Sequence, residues 1–362
     1  MASANPVLTS SSNPCFIPRM ASANHELLTD LLEQVSRTFY LTLRVLPKAI
    51  RSQIGLAYLL ARTTDTIADT EIVAVELRLR MLQALRDRIL GKNSTPLDFG
   101  QIAQQQGLPA ERVLLERCED ALALLQAQSA VDQKLIREVL DVITGGQELD
   151  LKRFGNPTPG KIVALKTDAE LDDYTFRVAG CVGQFWTRIC LAHQFSTEQT
   201  ARPSFEELGV RFGKGLQLVN ILRDIPADLA KGRCYIPSEK LTTANLSPAD
   251  LMRPENEPKF RPLYNHYLAL AESHLAAGWD YTNLIPLGQI RVRLACAWPI
   301  LIGLQTIARL RSGNVLDPQQ RIKINRREVR GIMLRSIFYY PVPYIWRRLA
   351  NSKAVAIGPF LS

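Results

Sequence analysis

Four aspartates in two pairs carry the most chemistry in this sequence. Asp65 and Asp69 end the run Arg62-Thr63-Thr64-Asp65-Thr66-Ile67-Ala68-Asp69. Asp224 and Asp228 lie in Asn220-Ile221-Leu222-Arg223-Asp224-Ile225-Pro226-Ala227-Asp228. Residues four apart on a helix share a face, one turn from each other. Each pair therefore presents two carboxylates in one direction. Two such faces opposed across a pocket would hold hard divalent cations against a diphosphate. Mg²⁺ suits that task, because it keeps several waters and takes one or two carboxylates plus phosphate oxygens. One such pair is weak evidence, since Asp and Arg at helical spacing mostly form solvated ion pairs worth less than about 1 kcal/mol. Two pairs, each with an arginine escort on an otherwise apolar helix, favour the functional reading.

The neighbouring polar residues repeat the pattern. Tyr58, Arg62, Asp65 and Asp69 form one stripe of a helix whose other positions include Ile54, Leu56, Leu59 and Leu60. Gln217, Asn220, Asp224 and Asp228 form a second stripe, which Arg223 adjoins. A core-facing stripe of acids and arginine needs partners for its charges, and metal with diphosphate would provide them. Pro226 is expected to kink the second helix or distort its last turn.

The elements that must position these stripes are helices. Apolar residues recur at three and four spacings over 27–46, 50–69, 74–90, 111–126, 131–151, 168–194, 204–230, 258–283, 287–312 and 326–337. Turn chemistry separates them, at Pro47, 91–96, 156–160, 202–204 and 247–258. Strand patterns are scarce and no internal repeat stands out, so the expectation is an all-α single domain. It would span 25–335, after a disordered lead over 1–24 and before an aromatic and basic segment, 336–362.

Composition narrows the partners. The 362 residues carry a net charge of +9 and are 46% hydrophobic, which suits an anionic partner and a large core. The basic residues form no long run, so a nucleic-acid arm is a poor expectation. The six cysteines are scattered without a CxxC, and the four histidines lack zinc spacing. No apolar run is read as reaching transmembrane length, and the first twenty residues lack the plan of a signal peptide. The stretch 337–348, Ile-Phe-Tyr-Tyr-Pro-Val-Pro-Tyr-Ile-Trp-Arg-Arg, reads equally as a segment packed on the core or as an interfacial anchor.

In order along the chain, these motifs resemble the squalene/phytoene synthase family of head-to-head prenyltransferases. The resemblance runs from about Ser36 to Arg330. It includes Ser36-Arg37-Thr38-Phe39, the first Asp motif, Gly146-Gln147-Glu148-Leu149-Asp150-Leu151 and the stretch Tyr174 to Gly183. It continues through Gln217 to Asp224 and Lys231-Gly232-Arg233-Cys234-Tyr235-Ile236-Pro237. Within the family, Arg293 to Pro299 and the basic segment Arg321 to Arg327 look like squalene synthase.

The resemblance implies an isoprenoid-synthase-type bundle around a central apolar cavity. It implies two farnesyl diphosphates joined to presqualene diphosphate, then reduced to squalene by NADPH. Asp65, Asp69, Asp224 and Asp228 would hold Mg²⁺. Tyr174 would handle a proton or steer a cation. Ser36, Arg37, Phe39, Tyr58, Arg62, Gln217, Asn220, Arg223 and Arg233 would contact substrate. Asn220, Lys323 and Arg326 would serve the reductant. Gly180 and Gly183 would admit substrate or a neighbouring helix. Eukaryotic squalene synthases tend to place Glu before the last Asp of each motif; here those positions are Ala68 and Ala227. The resemblance further implies a cytoplasmic enzyme with peripheral contact at the inner membrane face. The alternatives left open are a phytoene, dehydrosqualene or presqualene diphosphate synthase, and a non-catalytic assembly factor of the same fold.

Overall fold

The computed structural model describes residues 27–36, 39–155, 161–196, 198, 202–320 and 322–350, without the side chains of Leu41, Arg202 and Pro203. The expected lead, Arg37, the turn at 156–160, Arg321 and the stretch 351–362 lie outside the described residues.

The apolar periodicity becomes helices. In chain order they are α1 (Leu32–Ser36), α2 (Phe39–Val45), α3 (Lys48–Asp69), α4 (Val75–Ile89), α5 (Gly100–Gln104) and α6 (Pro109–Glu116). Next come α7 (Cys118–Gln126), α8 (Ala130–Phe154), α9 (Asp168–Thr175), α10 (Cys181–His193), α11 (Arg202–Arg223) and α12 (Ile225–Ala230). The remainder are α13 (Ser238–Thr243), α14 (Glu257–Leu284), α15 (Ile290–Ser312), α16 (Arg326–Tyr339) and α17 (Pro343–Arg348). Local chemistry sets several ends. Ser129 Oγ accepts from the Asp132 amide at 3.1 Å to start α8, whose last turn carries Lys152 and Arg153 against the helix dipole. Asn325 and Glu328 form a reciprocal capping box at the start of α16.

Long helices frame the core. α11 packs along α14, α10 lies against α11, α3 crosses α8, and α15 lies between α14 and α16. Gly183 sets the closest approach: a Cβ there would stand 1.9 Å from the carbonyl oxygen of Gly209. Of the two readings of Gly183, helix packing is therefore the one realised. One apolar cluster runs from Leu27 to Trp346 through all these helices.

The single parallel strand pair among the described residues is short: β1 (Val163–Ala164) beside β2 (Arg233–Cys234). The Val163 amide donates to Gly232 O at 2.9 Å and the Leu165 amide to Cys234 O at 3.0 Å. Gly232 has φ +74°, a backbone that L side chains rarely adopt. The turn and the strand pair together fix the segment carrying Arg233 and Tyr235.

Three expectations need correction. The 111–126 window is two helices with a break at Arg117. The 204–230 window breaks at Asp224, because Pro226 has no amide hydrogen to continue the helix and instead occupies the first turn of α12. α15 is long and apolar enough to cross a membrane by length and composition, contrary to the sequence reading. It is instead mostly buried inside the bundle, as a core helix is.

Candidate active site

The first acidic wall sits at the C-terminal end of α3. Arg62 pairs with Asp65 on its own helix and with Glu111 from α6. Its Nε is buried and finds no partner among the described residues, which leaves one donor for an anion. The Asp65 side chain is 41% exposed. Even so, its carboxyl is pushed up to about 6, by burial first and then by the charge of Asp69, against the opposing pull of Arg62. A carboxylate that water can touch while protein surrounds it belongs on the wall of a cleft. Ala68 faces inward at 8% exposure, and its carbonyl accepts from Arg78 Nη1 at 2.7 Å.

The second wall straddles the α11–α12 junction. Asp224 caps the junction, and Arg223 grips its carboxylate with two donors, Nε at 2.9 Å. The backbone keeps helical register across the break, with the Asp228 amide donating to Asp224 O at 3.0 Å. Asp228 is pushed up to about 6, by burial first and then by Asp224, while Arg233 and Lys231 pull the other way. Gln217 is half-buried and Asn220 exposed on α11, leading to this wall.

Arg233 connects the walls. Its guanidinium lies 3.7 Å from Glu71, just past α3, and 3.7 Å from Asp150 on α8. The charge of Asp69 is felt at Arg233, and that of Arg233 at Asp228. Asp150 is itself pushed up to about 6, chiefly by burial, with Asp69 adding to the push and Arg233 opposing it. Tyr235 Oη donates to Asp150 Oδ1 at 3.5 Å, and the Tyr235 ring stacks on Tyr174 with centroids 4.6 Å apart. Tyr174 hydrogen-bonds to Tyr235 and keeps its proton far above the usual phenol range, through burial first and then Tyr235 and Asp150. The helix carrying Tyr174 widens into a π turn, Phe176–Gly180, immediately after it. Such turns recur at functional sites.

Most of the expected site residues converge here. Phe39 stacks on Tyr58 at 4.8 Å, and Tyr58 Oη donates to Val35 O at 3.3 Å. Ser36 is buried, and its hydroxyl has no partner among the described residues. The acids beside Tyr174 are held in ion pairs: Asp172 with Lys214 at 2.7 Å, and Asp173 with Arg177 at 2.8 Å. Lys323 and Arg326 are exposed around the start of α16, and no hydrogen bond or ion pair among the described residues joins them to the walls. Three contributors were not singled out from sequence: Glu111, Asp150 and Tyr235. The signal for Asp150 and Tyr235 lay inside the motifs already quoted; Glu111 had none.

Among the described residues, no group of three acid, cysteine or histidine side chains is close enough to bind a metal alone. The walls offer two carboxylates each, and burial followed by the neighbouring carboxylate raises Asp65 and Asp228 above the ordinary range, a strain that a bound cation would relieve. That fits a cation which takes its other ligands from phosphate and water. A cavity of about 10 Å³ at the second wall, lined by Asp228 and Arg233 together with Ile221, Ile225 and Tyr235, has room for about one water.

The family model described as squalene/phytoene synthase matches residues 32–328. The chain is 28% identical over 280 residues to the squalene synthase of Saccharomyces cerevisiae, covering 77% of this chain and 60% of that protein. It thus spans less than two thirds of the yeast relative's length. It is 30% identical over 305 residues to the presqualene diphosphate synthase of Zymomonas mobilis, covering 83% of this chain and 89% of that one. A solved TcSQS–ligand complex shares the fold, with a TM-score of 0.72 at 20% identity over 91% of this chain and 97% of that chain.

Proposed function

The chain belongs to the squalene/phytoene synthase family, and we propose that it is a squalene synthase. It joins two farnesyl diphosphates head to head into presqualene diphosphate and then reduces that to squalene. The observation that carries this reading is the pair of opposed acidic walls, each with its own arginine and with Arg233 between them.

Asp65, Asp69, Asp224 and Asp228 would hold Mg²⁺, which when bound supplies positive charge at the departing diphosphate. Arg62, Arg223 and Arg233 suit the phosphate oxygens, because guanidinium groups bind them in bidentate fashion. Loss of one diphosphate leaves an allylic cation, which the second molecule's double bond attacks to form a carbon–carbon bond. Loss of a proton then closes the cyclopropane. The stacked rings of Tyr174 and Tyr235 present π faces to developing positive charge. Tyr174 stays neutral, so it orients and donates, and Asp150 is the carboxylate at the far end of the hydrogen-bonded chain. In the second stage the remaining diphosphate leaves and the skeleton rearranges.

NADPH would supply the hydride that ends the reaction. Lys323 and Arg326 are two exposed cations suited to its phosphates, and Asn220 is exposed beside the second wall. Asn325 is already committed to capping α16.

A second reading has its own support: an enzyme that stops at presqualene diphosphate or makes a C30 or C40 hydrocarbon without reductant. It is favoured by the Zymomonas relative, matched along 89% of its length, and by the lack, among the described residues, of any hydrogen bond or ion pair joining Lys323 or Arg326 to the walls. The test is product analysis with C15 and C20 diphosphates and Mg²⁺, with and without NADPH. Squalene from farnesyl diphosphate only when NADPH is present supports the proposal. An identical product without NADPH establishes the second reading in its place.

The prenyl chains and the hydrocarbon product partition into bilayers, so the reading includes peripheral residence at the inner face of a membrane.

A further inference from the structure

Nine of the sixteen exposed large hydrophobic side chains among the described residues fall in two short stretches, 284–290 and 334–345. The other seven are scattered, as single exposed apolar residues normally are. Leu334, Ile337 and Phe338 share one face of α16, with Phe338 75% exposed. Tyr344 and Ile345 continue from α17; Leu284 ends α14 and Leu287 lies in the turn before α15, each 61% exposed.

These stretches form one side of the molecule. Tyr340 Oη donates to Leu287 O at 2.6 Å, and Trp346 Nε1 donates to Asn283 Oδ1 at 2.9 Å. The side is also firmly held. Trp346 is 2% exposed and stacks on Trp279 at 5.2 Å. The buried Arg293 lies 5.4 Å from the Trp346 ring and donates to Ile285 O at 2.7 Å, closing the end of α14. Trp346 is thus a core residue, and its neighbours Tyr344, Ile345, Arg347 and Arg348 turn outward.

Charge identifies what covers this face. Residues 326–350 hold six arginines and one glutamate, and that glutamate is bound to Arg309 and to the cap of α16. Arg335, Arg347 and Arg348 are exposed, and Arg348 lies 4.1 Å over the Tyr344 ring. Apolar side chains beside aromatic rings and arginines match the depth profile of a bilayer surface, with acyl chains below and anionic phosphate above. A second copy of this chain would bring the same excess of arginine to the contact and be repelled.

We infer that the face built from the α14–α15 turn, α16 and α17 docks the protein onto an anionic bilayer. It deepens the membrane residence proposed above, but its evidence is independent of the reaction catalysed.

The test is flotation of the purified full chain with phosphatidylcholine vesicles, alone or with about 30 mol% phosphatidylglycerol. The chain is expected to float with the anionic vesicles and to be released in about 0.5 M salt, where the screening length is a few ångströms. The double variants Leu334→Glu/Phe338→Glu and Arg347→Glu/Arg348→Glu are each expected to lower the bound fraction about tenfold with unchanged circular dichroism. Asp65→Asn is expected to bind vesicles as the wild type does, so a chain that docks but forms no product sinks only the catalytic reading. Failure of the wild type to float with either vesicle overturns the inference. So does unchanged binding by the Leu334/Phe338 variant, or a dimer in sedimentation that those substitutions dissolve.

Discussion

Tyr235 stacks on Tyr174 at 4.6 Å with 26° between the rings, while its hydroxyl points to the half-buried carboxyl of Asp150. One residue thus joins the tyrosine expected from sequence to an acid on another helix. Tyr235→Phe keeps the stack and removes the hydroxyl. We expect it to lower kcat about tenfold with little change in KM, and Tyr174→Phe to lower it about 100-fold, the lower range for lost proton handling. Steady-state release of diphosphate measures both. Equal activity of Tyr235→Phe and wild type would remove Asp150 from the reaction.

Asp150 should work against stability. Its folded-state pKa of about 6 lies above the ordinary carboxyl value of 3.8. The native state therefore binds more protons than the unfolded state between those values, and stability falls as pH rises from about 4 to about 6. Asp150→Asn removes a penalty of about 2–3 kcal/mol at pH 7. The variant is expected to melt at a higher temperature than wild type at pH 7, to match it near pH 4, and to lose activity. Thermal melts across that range decide the matter, and a lower melting temperature at pH 7 refutes the argument.

The acidic walls make a separable prediction. Asp65→Asn and Asp224→Asn preserve shape and remove charge, so each should cut diphosphate release by about 10²–10³-fold, the usual cost of removing one electrostatic contact in a transition state. Isothermal titration of Mg²⁺ in the presence of a non-ionisable diphosphate analogue should show fewer bound ions in each variant. Full activity in either would favour the non-catalytic alternative.

Gly183→Ala tests the packing between α10 and α11. The obstacle is the backbone oxygen of Gly209, which has no rotamer to turn away. Chemical denaturation should show a loss of about 3 kcal/mol, at the upper end for overpacking. A loss below about 1 kcal/mol would mean that the two helices separate easily.

His274 predicts acid sensitivity. Burial first, then Arg211 and Lys214, push its pKa down to about 4. The unfolded chain takes up a proton below about 6.5, where the folded chain does not. Stability is therefore unaffected above that pH and declines as pH falls towards 4. His274→Gln should flatten that decline in equilibrium unfolding; an unchanged slope counts against it.

The helices were legible because their apolar spacing persists over many turns, as in 50–69 and 258–283, realised as α3 and α14. The acidic pairs were legible for the same reason, since one register places Tyr58, Arg62, Asp65 and Asp69 together. The break at Asp224 was only half legible: Pro226 announced a distortion, but sequence does not say whether a helix bends or restarts. Glu111 was hidden because its partner Arg62 lies 49 residues away, and only the packing of α6 against α3 unites them. The aromatic stretch 337–348 was ambiguous because both readings hold in part. Trp346 belongs to the core and Phe338 to the surface, and composition cannot separate neighbours that face opposite ways.

The break at Asp224 also makes the two acidic walls unlike in build. Asp65 and Asp69 ride a single 22-residue helix, whereas Asp224 stands at a helix junction with Asp228 one turn beyond it. On the proposed reading, two chemically identical donors would meet differently built holders. A coupling in which only one of them departs first needs its symmetry broken, and the two walls would supply that difference before either molecule arrives.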